Sequence, residues 1–149
     1  MSAFTTLQVQ DDLSKNVMAS LGVDAEVTGD PRVDRVMDTA TGPLDPEVQH
    51  QLNRMSHWIG KRNVLIVGSA WPEEWQALKR CIAQHDTWCC VVAPHEVNSP
   101  AVATWASESG FPRTSLHQTG PFPSSPGLIL DQVGLLKHAY RLGTIAVVG

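Results

Sequence analysis

Three short apolar stretches of this sequence are each followed by residues that could bind an anionic, nucleotide-like ligand. Ser69 follows the first stretch, His95 the second, and Gln132, Val133 and Gly134 the third. A serine hydroxyl with neighbouring N–H groups can hold a phosphate, and a glycine lets a phosphate approach the backbone. A histidine ring can stack on a base or hydrogen-bond to a sugar. These residues are therefore the candidates for ligand binding.

Each candidate also has a purely structural explanation. Ser69 could belong to a plain turn between a strand and a helix, and His95 could be a loop histidine bonded to Glu96 or to the backbone. Asp131 could hold a ribose hydroxyl or cap the helix that follows it, and Gly134 could be a simple turn glycine. No two carboxylates are spaced convincingly for general acid–base chemistry, so the residues themselves leave the catalytic group unknown.

Buried strands must position these candidates. The run 63–67 is apolar and β-branched without alternation, which is typical of a strand covered on both faces of a parallel sheet. Gly68 and Ser69 are expected to end this strand, and Pro72 to begin the next helix. Further strands are predicted at 88–93, 113–118, 128–130 and 144–148, with helices between them. This alternation predicts a Rossmann-like α/β fold with right-handed crossovers and a parallel sheet.

The carboxyl ends of parallel strands share one edge of a sheet, and ligands bind beyond that edge. This rule selects the loops 68–71, 94–96 and 131–134 and the region after residue 149. A helix N-terminus at such a loop carries partial positive charge. We expect helix N-termini at Trp71 and Val133, each taking one anion with a contribution of ~0.3–1 kcal/mol.

The first 43 residues differ from this regular pattern. They contain two short predicted strands, at 5–9 and 24–28, and a linker with glycine and proline follows at 41–46. The helix between the two strands has an apolar face that is predicted to be buried: Leu13, Val17 and Leu21. We interpret residues 1–43 as the edge of another domain. Residues 44–149 then form an α/β domain that stops before its last loop and covering helix.

Composition excludes several classes of function. The net charge of −4 argues against a nucleic-acid partner, and no apolar run reaches the ~18 residues of a membrane span. The N-terminal residues lack the pattern of a signal peptide. Three cysteines without a CxxC pair indicate reduced, cytosolic thiols in the core. Neither a Walker loop, a GxGxxG nor an HExxH motif occurs, so we expect no cofactor and no metal site.

Six stretches, in order along the chain, resemble motifs of the bacterial 3-deoxy-D-manno-octulosonic acid (Kdo) transferases. The most specific is VTGDPRVDRV at 27–36, which is similar to V-T-G-D-T-R-F-D-R-V. Pro31 and Val33 replace the usual Thr and Phe, and Gln132 stands where the family has Thr or Asn. The others are LQVQDD at 7–12, VGSAWPEE at 67–74, APHE at 93–96, LDQVGLL at 130–136 and YRLGTIAVVG at 140–149.

This resemblance implies half of a GT-B glycosyltransferase that transfers Kdo from CMP-Kdo to the lipid A precursor in lipopolysaccharide biosynthesis. Residues 1–43 would be the end of the acceptor-side domain with the interdomain linker, and 44–149 most of the donor-nucleotide-binding domain. The family's catalytic glutamate aligns with nothing in this chain, so the chain alone is expected to be inactive. The donor-contact candidates carried over are Ser69, Pro94, His95, Gln132, Val133 and Gly134.

The resemblance also implies a cytoplasmic location, with peripheral association at the inner face of the bacterial inner membrane left open. Two alternatives to a Kdo transferase remain. One is a GT-B relative that uses a UDP-sugar, such as a lipid A disaccharide synthase or a sugar 2-epimerase. The other is a non-enzymatic Rossmann-like binding module. We further expect self-association through the unpaired last strand or the bared interdomain face.

Overall fold

The computed structural model describes residues 4–82, 84–114 and 119–149, and the chain divides into two compact units, Met1–Gly42 and Pro43–Gly149. The sequence places a domain boundary one residue later, after residue 43. The assignment of the two units to an acceptor side and a donor side stays a prediction. Within the described ranges, no helix is long and apolar enough to cross a membrane.

Unit 1, Met1–Gly42, is built around a single strand–helix–strand motif. Its elements are β1 (Gln8–Val9), α1 (Asp12–Ser20), β2 (Glu26–Val27) and α2 (Pro31–Thr41), and β1 and β2 are parallel. Aspartates cap both helices, because Asp11 accepts the Ser14 N–H at 2.7 Å and Asp30 accepts the Arg32 N–H at 2.9 Å. Arg32 also pairs with Asp30 in solvent, so its charge is already engaged within this unit.

The prediction that the apolar face of α1 is buried is wrong. Leu13, Val17 and Leu21 are 74%, 52% and 70% exposed. The two strands paired in this unit have two residues each, far fewer than the five or so of an ordinary strand. Such a small sheet offers too little surface to cover the stripe of a nine-residue helix.

Unit 2, Pro43–Gly149, contains a five-stranded parallel sheet in the order β5–β6–β4–β3–β7. The fold is therefore Rossmann-like α/β, as the sequence predicts. The strands are β3 (Asn63–Ala70), β4 (Trp88–Pro94), β5 (Arg113–Thr114), β6 (Gly127–Leu130) and β7 (Ile145–Val148). The helices are α3 (Pro46–Ile59), α4 (Pro72–Ile82), α5 (Pro100–Ser109) and α6 (Leu136–Ala139), the last continued by a 3₁₀ turn at Tyr140–Leu142. Of the strand predicted at 113–118, residues 115–118 lie outside the described residues.

Helices cover both faces of this sheet and form two separate cores. On one face α3 and α6 pack against alternate residues of β3, β4 and β6, and on the other α4 and α5 pack against the intervening residues. Neighbouring residues of a strand therefore enter opposite cores, as the buried Cys89 and Cys90 do. Because every residue of β4 after Trp88 is buried, the central strands have no room to shift.

A close approach of helix to strand occurs at Gly68. An ideal Cβ at Gly68 would overlap the Tyr140 hydroxyl and lie 3.2 Å from Tyr140 Cζ and 3.3 Å from Leu136 Cδ2. Burial also raises the pKa of the Tyr140 hydroxyl.

We predict that Gly68→Ala lowers the free energy of unfolding by about 1–3 kcal/mol, because the new methyl group displaces the Tyr140 ring. In a Tyr140→Phe background the overlapping oxygen is absent, so the same substitution should cost clearly less. Urea unfolding of the four proteins of this double-mutant cycle measures the difference. If Gly68→Ala lowers the free energy of unfolding equally in both backgrounds, the Tyr140 hydroxyl is not the group that the new methyl displaces.

Strand β7 forms an exposed edge of the sheet. Among the strands of the described residues it pairs only with β3, and Ile145, Val147 and Val148 are 51%, 40% and 69% exposed. The segment carries no charge and no proline, the features with which proteins usually block such edges.

We predict that the chain self-associates through β7, and that Val147→Lys shifts the equilibrium toward monomer because it charges this edge. Val36→Lys provides a matched control, since Val36 is also exposed but lies on α2 of the other unit. Sedimentation velocity over a concentration series tests both. A monomer at every concentration, or dissociation caused by Val36→Lys instead, would refute the role of β7.

Candidate functional site

The candidate residues meet at the carboxyl edge of the parallel sheet of unit 2. Because all five strands run in one direction, their carboxyl ends lie at the same edge. Ser69 lies at the end of β3, His95 directly after β4, and Gln132–Gly134 just after β6. The three strands that end at these residues are immediate neighbours in the sheet, in the order β6–β4–β3. The sequence-predicted candidates thus occupy three adjacent strand ends.

Ser69 lies within β3 rather than in the loop predicted for it. Strand β3 continues to Ala70, which pairs with Pro94, and the register is irregular between Val67 and Ala70. Ser69 has a φ of +54°, a left-handed conformation that costs a residue with a Cβ about 1 kcal/mol or more. Since the next residue is locked in a strand pair, the sheet itself holds Ser69 in this conformation.

His95 stacks on Trp71. The two ring centroids are 4.1 Å apart with an interplanar angle of 21°. The backbone N–H of His95 donates to the Ala70 carbonyl at 3.0 Å, which fixes the start of the β4–α5 loop. Trp71 is 44% exposed although it precedes a helix with a buried face. The hydrogen bond to Ala70 is made by the backbone of His95, and its ring contacts Trp71. The hypothesis that the histidine is bonded to Glu96 or to the backbone through its ring stays a prediction.

The N-terminus of α4 does not offer the free anion site that the sequence predicts. The Trp71 N–H donates to Glu74 Oε2 at 2.9 Å, so a carboxylate of the same helix already occupies this donor. Glu73 adds a second negative charge in the first turn. Both carboxylates complement the helix dipole themselves and repel a further anion.

Asp131 does not cap the helix that follows it, which was one of the two roles considered for it. Its side chain is 3% exposed and accepts the Asn98 N–H at 2.7 Å and an N–H of the Arg113 guanidinium. Asn98 has a φ of +56° in the β4–α5 loop. Asp131 therefore connects the end of β6 to the β4–α5 loop and to β5, and it caps no helix because α6 begins only at Leu136.

The segment Gln132–Gly134 is a bend rather than the start of a helix. Val133 is 80% exposed, and Gly134 has a φ of +96°, which only glycine adopts readily. The predicted helix N-terminus at Val133 is wrong, and α6 has only four residues, too few to hold an anion by its dipole. Gln132 Nε2 is buried without a hydrogen-bond partner among the described residues. The segment can therefore offer its backbone groups and the side-chain amide of Gln132 to a ligand.

Four residues of this edge were not among the candidates: Trp71, Glu74, Asn98 and Arg113. The sequence identifies Trp71 only as an expected helix start, although its position one residue after β3 places its ring at the carboxyl edge. Glu74 is three residues from Trp71, which is the spacing of a side chain that caps its own helix. No local sequence pattern identifies Asn98 or Arg113, because their partner Asp131 lies 33 and 18 residues away from them, respectively. In the described part of the chain, no cluster of His, Cys, Asp or Glu side chains could hold a metal ion.

Comparison of the chain with protein-family models, with curated proteins and with solved structures finds no match in any of the three.

The contacts of Asp131 predict that removing its charge and removing its partner Arg113 destabilise the fold by different amounts. Arg113→Gln should lower the free energy of unfolding by about 3–5 kcal/mol, because it leaves a buried carboxylate without its cation. Asp131→Asn should cost less, about 1–2 kcal/mol, since the side chain of Arg113 is 44% exposed and water can solvate it. The double variant should then resemble Asp131→Asn. Urea unfolding at pH 7 measures all three, and a larger loss for Asp131→Asn than for Arg113→Gln would show that the Asn98 hydrogen bond dominates.

Proposed function

We propose that this chain is the donor-nucleotide-binding part of a Kdo transferase of the GT-B class, with CMP-Kdo as its donor and the lipid A precursor as the acceptor of the complete enzyme. One observation carries the proposal. The motifs at 67–74, 93–96 and 130–136, which are far apart in the sequence, lie at the ends of three neighbouring strands. Convergence of motifs on the edge where parallel sheets bind ligands supports a shared ligand.

The residues at this edge suit binding and orientation better than chemical catalysis. The rings of Trp71 and His95 can contact a flat or sugar-like group, and the bend Gln132–Gly134 can present backbone N–H groups and an amide to a phosphate. Holding a donor in a reactive geometry is itself a large contribution to rate. In this proposal the group that activates the acceptor belongs to a region outside this chain, and the chain alone binds a nucleotide without transferring sugar.

Electrostatics predict that such binding is weak. The first turn of α4, which follows β3, carries Glu73 and Glu74, and the half-exposed Arg113 is already paired with the buried Asp131. A phosphate therefore gains little from free positive charge here and depends on neutral hydrogen-bond donors. We expect dissociation constants for mononucleotides near the millimolar range, which corresponds to about 4 kcal/mol of binding free energy.

The test is an amide-resolved NMR titration of the chain with CMP, with UMP and AMP as matched nucleotide controls. We predict shifts confined to Ser69, Trp71, His95 and Gln132–Gly134, largest for CMP. Stronger binding of UMP would favour the UDP-sugar relative. An absence of shifts for every nucleotide at millimolar concentration would overturn the proposal for this chain and favour the non-enzymatic module.

A further inference from the structure

We infer that the stacked rings of Trp71 and His95 form a platform on which the base of the bound nucleotide stacks, with the phosphate directed away from it toward Gln132–Gly134. This inference rests on the proposed function and adds to it an orientation for the ligand and a role for the ring of Trp71, which the sequence considered only as a helix start.

The exposure of the Trp71–His95 pair distinguishes it from the aromatic packing in the core of unit 2. Trp75 and Trp105 also stack, with centroids 5.5 Å apart, but they are 0% and 5% exposed and belong to the core between sheet and helices. Trp71 is 44% exposed, and His95 is exposed as well. Exposure of two large stacked rings at a strand edge is costly in water unless something covers them.

Both rings are fixed by the backbone around them. Pro72 follows Trp71 and Pro94 precedes His95, so each ring residue neighbours a proline with restricted φ. The His95 N–H is bonded to the Ala70 carbonyl at 3.0 Å, and the Trp71 N–H to Glu74 at 2.9 Å. The platform is thus ordered before a ligand arrives, which reduces the entropy lost on binding.

The size of the nearby cavity places the ligand on top of the rings rather than beneath them. The cavity beside the stack has a volume of about 90 Å³ and is lined by Trp71, His95, Trp105 and Ser99 among others. A nucleoside cannot enter it, so a base must lie against the exposed ring surface.

Charge determines which end of the nucleotide lies on this platform. Glu74 occupies the Trp71 N–H and Glu73 lies next to it, so the corner around Trp71 repels a phosphate. An uncharged base is not repelled and gains stacking energy from the rings. The bend Gln132–Gly134 lies two strands away, at the end of β6, and the carboxylate before it, Asp131, is buried and paired with Arg113. The base is therefore assigned to the β3–β4 corner and the phosphate to the β6 end.

The experiment compares CMP with ribose 5-phosphate, which lacks the base, in NMR titrations of the 149-residue chain. Trp71→Leu should weaken CMP binding about 5- to 150-fold, the range for removal of one base-stacking side chain, while ribose 5-phosphate binding stays unchanged. Trp71→Phe keeps a ring and should restore most of the affinity for CMP. Trp88→Leu is the matched control, because Trp88 begins β4 at the opposite edge of the sheet, and it should leave both ligands unaffected.

The other outcomes refute either the Trp71–His95 platform or the proposed function. Normal CMP binding by Trp71→Leu refutes the platform and leaves the proposed function intact. An equal loss of CMP and ribose 5-phosphate shows that Trp71 only supports the loop structure, which also refutes the platform. If the unmodified chain binds neither ligand, the proposed function itself fails for this chain. Dispersed amide spectra of every variant confirm that the fold is retained.

Discussion

Pairing of β3 with β4 is the interaction on which the rest of unit 2 depends. Strand β3 lies between β4 and β7, and its register with β4 runs from Asn63 opposite Trp88 to Ala70 opposite Pro94. That last pair extends β3 beyond its regular part and brings the residues after the two strands side by side. The contact between Trp71 and His95 is therefore a consequence of sheet register.

The register is itself protected by packing on both faces. Alternate residues of the central strands belong to two different cores, one under α3 and α6 and the other under α4 and α5. A slip by one residue would exchange these two sets of side chains and disrupt both cores together. A site at the end of such strands is held by rigid elements, which is the condition for a preformed binding surface. The loops contribute the side chains and the sheet contributes their spacing.

Carboxylates dominate the electrostatics of this edge. Glu74 satisfies the helix N-terminus that would otherwise attract an anion, and Asp131 binds the guanidinium of Arg113 and the N–H of Asn98. These bonds stabilise the loops but consume the groups that commonly hold phosphates. A ligand at this edge must then be recognised largely through ring contacts and neutral hydrogen bonds. This combination fits a nucleotide portion that is held by its base more than by its charge.

The sequence by itself determined the order of strands and helices, because β-branched runs and the proline and aspartate residues at helix starts act over a few residues. It also determined that the candidates share one edge, since strands that alternate with helices run parallel and end at the same edge of the sheet. Only the tertiary structure decided the strained conformation of Ser69, the partners of Asp131, the exposure of Trp71 and the uncovered face of α1. Each of these depends on contacts between residues distant in the chain, or on a surface that neighbouring elements are too small to cover, and local propensity carries no information about either.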